Sequence, residues 1–538
     1  MGTCAATRYS HDKPMASCRI KFSRMSSHRP AQPPVSKREL YTVFAGLMLA
    51  LTLASLDQNI VSTALPRIVS DLGGLAHLSW VVTAFMVTST ISAPLYGKLS
   101  DIYGRKPLFF TAILIFLAGS ILCGMAQTMI QLIIFRALQG LGAGGLITLA
   151  QTTVGDLIAP RERGKYQGLF GAVFAACSVA GPLLGGIITD ALSWRWIFYV
   201  NLPVGAAALF LIAIALRHYQ PAVRHQIDYA GAVLLTGGTA CLLLFLSWGG
   251  TVYPWLSPVP LILVTSALLF YGWLAAQERR AAEPILPPLL FRNRVFVVAV
   301  SVIGLNAMAL FGSLVYLPLF FQLVLGASPS RAGLMLAPMM GGVIVASVTG
   351  GRLVARTGRY KIFPVIGLLV GASSFLTLAW AALTSAGLPV IETALVGLGC
   401  GLGLVMPNLT VAIQNSVDRS HLGVATSVTA FIRSLGGALG VAVSGAVVGL
   451  RLHHLLPAAW TQKTSSGTNL LELGVQQIAR IPPAQHAVLM NAYRHAIATT
   501  FLAGASVAAL AFLIVLSLPE RPLRSAVKEE ETLAKAGY

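Results

Sequence analysis

The feature that most constrains the fold of this chain is a succession of apolar runs, each about 20 residues long, with short polar segments between them. A run of that length forms a helix that crosses the roughly 30 Å hydrocarbon core of a bilayer. Only 10% of the residues are charged, whereas roughly 25% is usual in soluble proteins. The sequence therefore predicts an all-α integral membrane protein.

From these runs we predict fourteen transmembrane helices. They are Leu40–Leu65, Leu78–Tyr96, Pro107–Ala126, Met129–Ala150, Tyr166–Thr189, Trp196–Leu216, Tyr229–Trp248, Val259–Ala276, Val295–Phe320, Ala332–Val354, Ile362–Leu383, Leu388–Ile413, Leu422–Leu450 and Ala496–Leu518. An even number places both termini on one side of the membrane. That side is the cytoplasm, because most of the 38 Lys and Arg residues then lie in cytoplasmic segments. The net charge of +20 therefore reflects topology, and we expect no nucleic-acid partner.

Two polar loops with the same pattern indicate that the chain is built from related halves. Residues Gly97–Lys106 read GKLSDIYGRK and residues Gly351–Tyr360 read GRLVARTGRY, with two glycines and an arginine recurring 254 positions later. A second glycine pattern also recurs, with Gly140, Gly142 and Gly144 matched by Gly399, Gly401 and Gly403. Repeated halves of this kind are typical of transporters. We therefore predict two pseudo-symmetric six-helix bundles with a two-helix insert.

The predicted order of segments follows from this repeat. A basic cytoplasmic tail (1–39) precedes the N-terminal six-helix bundle (40–216), the two-helix insert (217–281) and the C-terminal six-helix bundle (282–518). Within the C-terminal bundle, residues 451–495 form an extracytoplasmic loop, and residues 519–538 form a second cytoplasmic tail.

Two charged residues are predicted to lie deep in the membrane, at nearly the same depth. Asp57 precedes Pro66 by nine residues, about 13 Å of helix from the outer end of the first span. Arg136 lies seven residues into the fourth span. An unpaired ionised carboxylate is unfavourable there, and arginine keeps its charge in proteins. We therefore predict that the two side chains pair and that Asp57 carries protons, although a purely structural ion pair fits the same pattern.

The first repeated loop is predicted to form a tight turn and a cytoplasmic latch. Glycine at positions Gly97 and Gly104 permits a tight turn between helices. Asp101 is placed to accept hydrogen bonds from Arg105 or from a neighbouring loop. The second copy has Ala355 in place of this acid, so a latch built on the carboxylate exists in the first half only.

Glycines inside two spans are predicted to govern helix packing. Gly140 lies one turn beyond Arg136, on a helical face that another backbone can approach closely. In the fifth span, the segment GPLLGG removes a backbone donor and side-chain bulk. We expect a bend or a very tight helix contact at its four special residues, which are Gly181, Pro182, Gly185 and Gly186.

Four motifs, taken in order, resemble the signature of a known family. They are LDQNIVSTALP around Asp57, GKLSDIYGRK, RALQGLGAGG from Arg136 to Gly145, and GPLLGG. Together they are similar to those of the major facilitator superfamily, in its fourteen-span drug:proton antiporter branch of the EmrB/QacA type. The resemblance implies that Asp57 is the proton carrier, that Arg136 is its partner and that GPLLGG marks an antiporter. It also implies export of small amphipathic compounds such as drugs, antibiotics and dyes, driven by proton entry.

Between the two bundles we expect a central cavity that binds the substrate. The candidate lining residues are Phe311, Met335, Met339, Asn306, Asn408 and Gln414. The span Ala332–Val354 carries no acid, unlike the matching span of relatives that handle multiply charged cations. Asp57 is then the acid available to a bound cation, in competition with the proton, so we expect neutral, zwitterionic or monocationic substrates. Arg433, in the thirteenth span, has no partner that the sequence identifies.

Two alternatives stay open on the sequence alone. The same fold would serve equally a proton-coupled exporter or importer of a native metabolite. A membrane enzyme or receptor is the more remote reading, because the predicted spans contain no His, Asp and Glu cluster for a metal and no serine with a matched base. We expect no enzymatic activity, no cofactor and no metal. The expected partners are the substrate, protons and the lipid bilayer of the cell membrane, and no sequence feature identifies a periplasmic adaptor.

Overall fold

The computed structural model describes residues 37–72, 78–216, 228–250, 252–281, 283–327, 329–418, 421–456 and 483–523. Most of the two predicted tails and of the predicted loop 451–495 lies outside these residues. Within the described ranges the fold is helical, apart from one isolated bridge between Gly249 and Tyr253. The predicted all-α class is therefore confirmed.

The helices follow one another with short connections. They are α1 (Lys37–Leu72), α2 (Leu78–Tyr103), α3 (Arg105–Met125), α4 (Met129–Leu157), α5 (Pro160–Ala191), α6 (Trp196–Tyr199), α7 (Asn201–Ala215), α8 (Tyr229–Trp248), α9 (Pro258–Glu278), α10 (Pro288–Arg292), α11 (Arg294–Leu314), α12 (Tyr316–Leu319), α13 (Pro329–Leu334), α14 (Ala337–Thr357), α15 (Ile362–Thr384), α16 (Leu388–Ser416), α17 (Leu422–Leu455) and α18 (Pro483–Leu516). A π-helical turn, Phe320–Val324, follows α12.

Within the part of the chain that the structure describes, thirteen helical segments are long and apolar enough to cross a membrane. The second predicted span, α2, is not among them, although it is 26 residues long. It contains no stretch apolar enough to meet the same criterion, because a run of hydroxyl side chains, including Thr88, Ser89, Thr90 and Ser92, interrupts it. The predicted number of fourteen spans is therefore not confirmed by length and composition.

Several helices extend past the apolar runs that predicted them. The helix α18 begins at Pro483 rather than at Ala496, so it takes up part of the predicted loop 451–495. The polar residues of this extension can be helical because they need not lie in the hydrocarbon core. Two predicted spans are built from consecutive pieces: the sixth joins α6 to α7 at Val200, and the ninth joins α11, α12 and the π-helical turn.

Each half of the molecule has its own apolar core. In the N-terminal half (37–216), one cluster joins α1, α3 and α4 and includes the fully buried Leu53 and Leu146. In the C-terminal half (283–523), a comparable cluster joins α11, α16 and α18 and includes the fully buried Val302 and Leu409. The inserted helices α8 and α9 pack together and against α2 and α17, through a smaller cluster that includes Leu235.

The recurring glycine triplets occupy equivalent places in the two halves. Gly140 and Gly144 of α4 pack against α2, and the glycine between them packs against α3. Gly399 and Gly403 of α16 pack against α14, and the glycine between them packs against α15. In both halves, one helix (α4 or α16) therefore has small residues on two faces, and a neighbouring helix packs closely against each face. Close helix contact in lipid relies on such small residues.

Candidate functional site

Asp57 lies at the centre of a buried network in the N-terminal half. α1 places it among α3, α4 and α7, and its side chain has 0% exposed surface. Its Oδ2 accepts a hydrogen bond from Arg136 at 2.6 Å. Its Oδ1 accepts two more, from Nε2 of Gln139 and from Nδ2 of Asn201, both at 2.8 Å. Each of these partners is a donor, which is the environment that suits an ionised carboxylate.

Arg136 is held against α2 as well as against Asp57. Its Nε donates to the carbonyl oxygen of Val81 at 3.3 Å, and its guanidinium carbon lies 4.0 Å from the ring centroid of Phe85. One turn further along α4, a Cβ at Gly140 would lie 2.5 Å from the carbonyl oxygen of Phe85. The shared face of Arg136 and Gly140 therefore brings α2 close enough for its backbone and an aromatic ring to surround the guanidinium group.

Gln139, Ser120 and Asn201 complete the network, and the sequence reasoning did not identify them. Oε1 of Gln139 accepts from Arg136 at 2.7 Å, and its Nε2 donates to Oγ of Ser120 at 3.2 Å. Asn201 also donates to Oγ of Ser120, at 2.9 Å. All three side chains are buried. An amide within an apolar span was an available signal, because polar groups need partners in hydrocarbon, but several other amides give the same signal.

The GPLLGG segment packs α5 against α1 close to Asp57. Cβ atoms at Gly181 and Gly185 would lie 2.6 Å and 2.7 Å or less from atoms of α1, so neither position has room for a side chain. Pro182 is accommodated within a continuous helix, and Gly186 has nothing within 4 Å of its Cβ position. The tight helix contact predicted for this segment is therefore made at Gly181 and Gly185, and not at Gly186.

The arrangement couples the protonation of Asp57 to the packing of α1 against α4. An added proton turns one oxygen into a hydroxyl whose donor faces only donors among these three partners, so that the hydrogen bonds to that oxygen weaken. It also removes the charge that balances Arg136. Because Asp57 has no exposed surface, it does not line a cavity in this structure. A bound cation therefore cannot reach this carboxylate in this structure, and the expected competition between proton and cation does not take place here.

The first repeated loop connects the two halves through Asp101. Its carboxylate accepts from two backbone N–H groups in the first turn of α17, at 3.1 Å and 3.0 Å. The N-terminus of a helix favours a negative charge. Arg105 donates to Asp101 at 2.7 Å and to Asp156 of α4 at 2.8 Å. Asp101 therefore links its own half to the start of a helix in the other half, as expected of a latch.

The two glycines of this loop have different roles. Gly104 forms the turn between α2 and α3 with a φ of 87°, and its counterpart Gly358 ends α14 with a φ of 72°. Both values lie in the left-handed region that favours glycine. Gly97 instead lies within α2 and packs on Ser427 of α17, with no space for a Cβ. The prediction that Gly97 serves the turn is wrong, because the turn needs only one glycine and Gly97 lies nearly two helical turns before it.

A second contact joins the halves with the opposite charge. α5 meets α14 where a Cβ at Gly164 would lie 2.8 Å from the carbonyl oxygen of Gly351. Arg161 donates to the carbonyl oxygens of Ala355 and Arg356 at 3.1 Å and 3.3 Å, near the C-terminus of α14. A cation at a helix C-terminus complements the helix dipole, as the anion at α17 does. Both contacts lie at the end of the molecule that carries the repeated loops Gly97–Lys106 and Gly351–Tyr360, which we name the loop end. The two halves meet there, so the loop end is closed.

The three apolar cavity candidates lie in the C-terminal half. Met335 and Met339 belong to or pack against an apolar cluster of α14, α15 and α16, in which Met339 is buried. Phe311 of α11 packs against Gly437 of α17, with its Cδ2 3.1 Å from the Cβ position of that glycine.

The three amide candidates lie in three separate places. Asn306 lines a small internal void between α11, α15 and α16. Asn408 is buried in α16, where it donates to the carbonyl oxygen of Leu404 in its own helix at 2.7 Å. Gln414 lies at the loop end and donates to the carbonyl oxygen of Gln151 at 3.1 Å. These side chains therefore do not converge on one binding site in this structure.

Comparisons with known proteins identify a consistent set of relatives. A family profile described as Major Facilitator Superfamily matches residues 47–441. The multidrug transporter protein MdtP of Bacillus subtilis (strain 168) is 42% identical over 421 residues, which cover 78% of this chain and 77% of that protein. Multidrug resistance protein 3 of the same strain is 38% identical over 410 residues, covering 75% of this chain and 79% of that protein.

A solved structure shares the fold at much lower sequence similarity. The proton:xylose symporter XylE matches with a TM-score of 0.59 and 14% identity, over 92% of this chain and 99% of that chain. Likeness at this level of identity bears on the arrangement of helices alone.

Proposed function

The chain belongs to the Major Facilitator Superfamily and is a membrane transporter rather than an enzyme, and on that basis we propose that it is a proton-coupled antiporter that exports small amphipathic compounds. The observation that carries the proposal is the fully buried pair of Asp57 and Arg136, 2.6 Å apart in the N-terminal half. An acid enclosed within a membrane span is a functional candidate by default. The names of two relatives, a multidrug transporter and a multidrug resistance protein, favour drug-like substrates.

The proposal includes fourteen spans in the cell membrane, with both termini in the cytoplasm. α2 is counted as a span, because its 26 residues are long enough to cross the membrane and it packs between α4 and α17. The loop end is then cytoplasmic, because its loops are rich in Lys and Arg. With this proposed orientation, the closed loop end makes the structure a state closed toward the cytoplasm.

In the proposed cycle, Asp57 takes up a proton from the outer side and loses its ion pair with Arg136. Removing one partner of a buried ion pair typically costs about 3–5 kcal/mol. That free energy corresponds to a shift of roughly a hundredfold or more in a conformational equilibrium. Protonation thereby loosens α1 against α4 and favours rearrangement of the helices. Release of the proton toward the cytoplasm restores the ion pair as the loop end closes again.

The charge moved in each cycle depends on the substrate. When one neutral compound leaves for each proton that enters, one charge moves inward, worth about 2.3 kcal/mol per 100 mV of membrane potential. When a monocation leaves for each proton, no net charge moves, and the pH difference alone drives export. The response of transport to an imposed voltage therefore reports the charge of the substrate.

Transport by the purified protein in liposomes tests this function. A panel of dyes and antibiotics is offered under an imposed pH gradient, while an entrapped pH indicator reports proton movement. We expect substrate to move against its own gradient and protons to move in the opposite direction, with both movements abolished by a protonophore. Substrate movement that continues unchanged without a proton gradient would contradict the proposal. Uphill movement of metabolites but of no drug or dye would favour the metabolite transporter instead.

A further inference from the structure

Arg433 is a charged residue that the proposed mechanism does not use. It lies eleven residues into α17, about 16 Å from the start of that helix and so near the middle of a bilayer roughly 30 Å thick. Its side chain is half-buried. Arginine keeps its charge in proteins, so at this depth it must face an anion, water or backbone carbonyls.

Among the residues that the structure describes, Arg433 has neither an ion pair nor a hydrogen-bond partner. Three other arginines in largely buried positions of the described ranges are paired. Arg136 binds Asp57, Arg105 binds two aspartates, and Arg163 donates to backbone carbonyl oxygens. The guanidinium group of Arg433 thus differs from those of Arg136, Arg105 and Arg163 in having none of its donors used by the described part of the chain.

Most sides of α17 are covered by other helices. Ser427 packs on α2 at Gly97, and Ile432 packs on α11 at Gly304. Phe431 belongs to the cluster formed with α8 and α9. α18 also packs along α17. The remaining face of α17 points toward α16 and toward α4 of the other half, which contact α17 less extensively than α11 and α2 do.

Arg433 lies on that remaining face. At 3.6 residues per turn it shares the face with Thr426, seven residues earlier, and with Gly437, four residues later. Oγ1 of Thr426 lies 3.5 Å from Nε2 of Gln414, which also reaches the N-terminal half, and Gly437 contacts Phe311. The guanidinium group therefore lies about 10 Å beyond the closed loop end, on the side of α17 that faces the other half.

The space between the halves is consequently positive at this depth. Asp57 and Arg136 neutralise each other inside the N-terminal half, where neither has more than 1% of its surface exposed. The span Ala332–Val354 supplies no acid. A bound cation would thus meet a like charge with no counter-charge, whereas a bound anion would meet an unused guanidinium group with a planar set of donors.

We propose that Arg433 binds the anionic group of an amphipathic substrate, a carboxylate or sulfonate on an apolar body that packs on Phe311. The inference rests on the proposed function, because it names the substrate class of the same transporter. It replaces the expectation of neutral, zwitterionic or monocationic substrates, since that expectation assumed that Asp57 faces the substrate.

A pair of ligands that differ by one charge tests the proposal. Binding of dansylglycine and of its neutral analogue dansylglycinamide is measured by fluorescence on the purified full-length protein, in chloride-free buffer. We expect the acid to bind about tenfold more tightly than the amide, as one charge-assisted contact provides. Arg433→Gln should reduce this preference to less than about twofold with little change in amide affinity, whereas Arg433→Lys should keep part of it.

Arg451→Gln is the matched control, because Arg451 is an exposed arginine near the other end of α17. This variant should keep the full preference for the acid. Equal binding of acid and amide to the wild type, or a preference that survives Arg433→Gln, would overturn the proposal. In a parallel titration with added chloride, competition by chloride without any preference for the acid would do the same, because the site would then bind inorganic anions only. If the wild-type protein prefers the acid but does not couple transport to protons, the proposed function is refuted and the role of Arg433 in binding stands.

Discussion

Replacing Asn201 with alanine tests whether the newly identified residues of the network set the protonation of Asp57. The change removes two hydrogen bonds, from Nδ2 to Oδ1 of Asp57 at 2.8 Å and to Oγ of Ser120 at 2.9 Å. The donors of Arg136 and Gln139 remain. Proton coupling should therefore persist but operate in a different pH range.

The size of the effect follows from the hydrogen bond to the carboxylate. A hydrogen bond to a charged group contributes about 1.5–3 kcal/mol, and one pH unit of a titration midpoint corresponds to about 1.4 kcal/mol. The donor stabilises the ionised form, so its removal makes protonation easier. We expect the midpoint of the pH–rate profile to move upward by about one to two units.

The assay is the initial rate of proton-coupled export in proteoliposomes, with the pH difference held constant and the absolute pH stepped across the neutral range. Asn293→Ala is the control, because Asn293 also donates from a side-chain amide, to the carbonyl oxygen of Ser416, but far along the chain from the network. Its midpoint should match the wild type. If Asn201→Ala lowers the rate but leaves the midpoint in place, Asn201 only supports the fold and the reasoning fails.

Two further changes probe the ion pair and the latch. Arg136→Ala should reduce transport more than Arg136→Lys, since an uncompensated buried carboxylate costs about 3–5 kcal/mol. Arg136→Lys should still differ from the wild type in its pH profile, because lysine cannot donate to Asp57, Gln139 and α2 together. An unchanged profile in the lysine variant would mean that only the positive charge of Arg136 matters. Asp101→Asn should open the loop end, because hydrogen bonds from a helix N-terminus to a carboxylate are worth about 1–2 kcal/mol. The reporter is Ser347→Cys, at a buried position of α14 that packs against α5 of the other half, and its rate of alkylation should rise about tenfold. Asp156→Asn, which touches Arg105 but not α17, should have a smaller effect, and equal rates in both variants would contradict the latch.

The family and the helical class were predictable because each rests on local sequence. Apolar runs of about 20 residues predict spans, and four motifs in order predict the family, which the comparisons confirm. The number of spans is harder to read, since α2 carries enough hydroxyl groups to fall short of the others. The pairing of Asp57 with Arg136 was predicted because equal depth is a property of position along a helix.

The remaining parts of the site depend on which way each helix face points. Gln139 lies three residues from Arg136 on the same face, yet only the packing of α3 and α7 shows that its amide reaches Asp57. Gly97 and Gly104 look alike in sequence, and the structure alone shows which one adopts positive φ. The sequence identifies no partner for Arg433, and only the enclosure of Asp57 leaves this arginine as the charge available to a substrate.

The central claim is that Asp57 carries the proton, and the most direct test compares two substitutions on the same helix. Asp57→Asn keeps the shape of the side chain but cannot titrate, whereas Asp71→Asn changes an acid that lies near the end of α1 and accepts from Trp194. Both variants are reconstituted in liposomes with an entrapped pH indicator and a fluorescent substrate chosen from the panel. We predict that Asp71→Asn still drives substrate uphill with opposite proton movement, while Asp57→Asn folds and binds substrate but does neither. Uphill transport by Asp57→Asn at the wild-type rate would contradict the account.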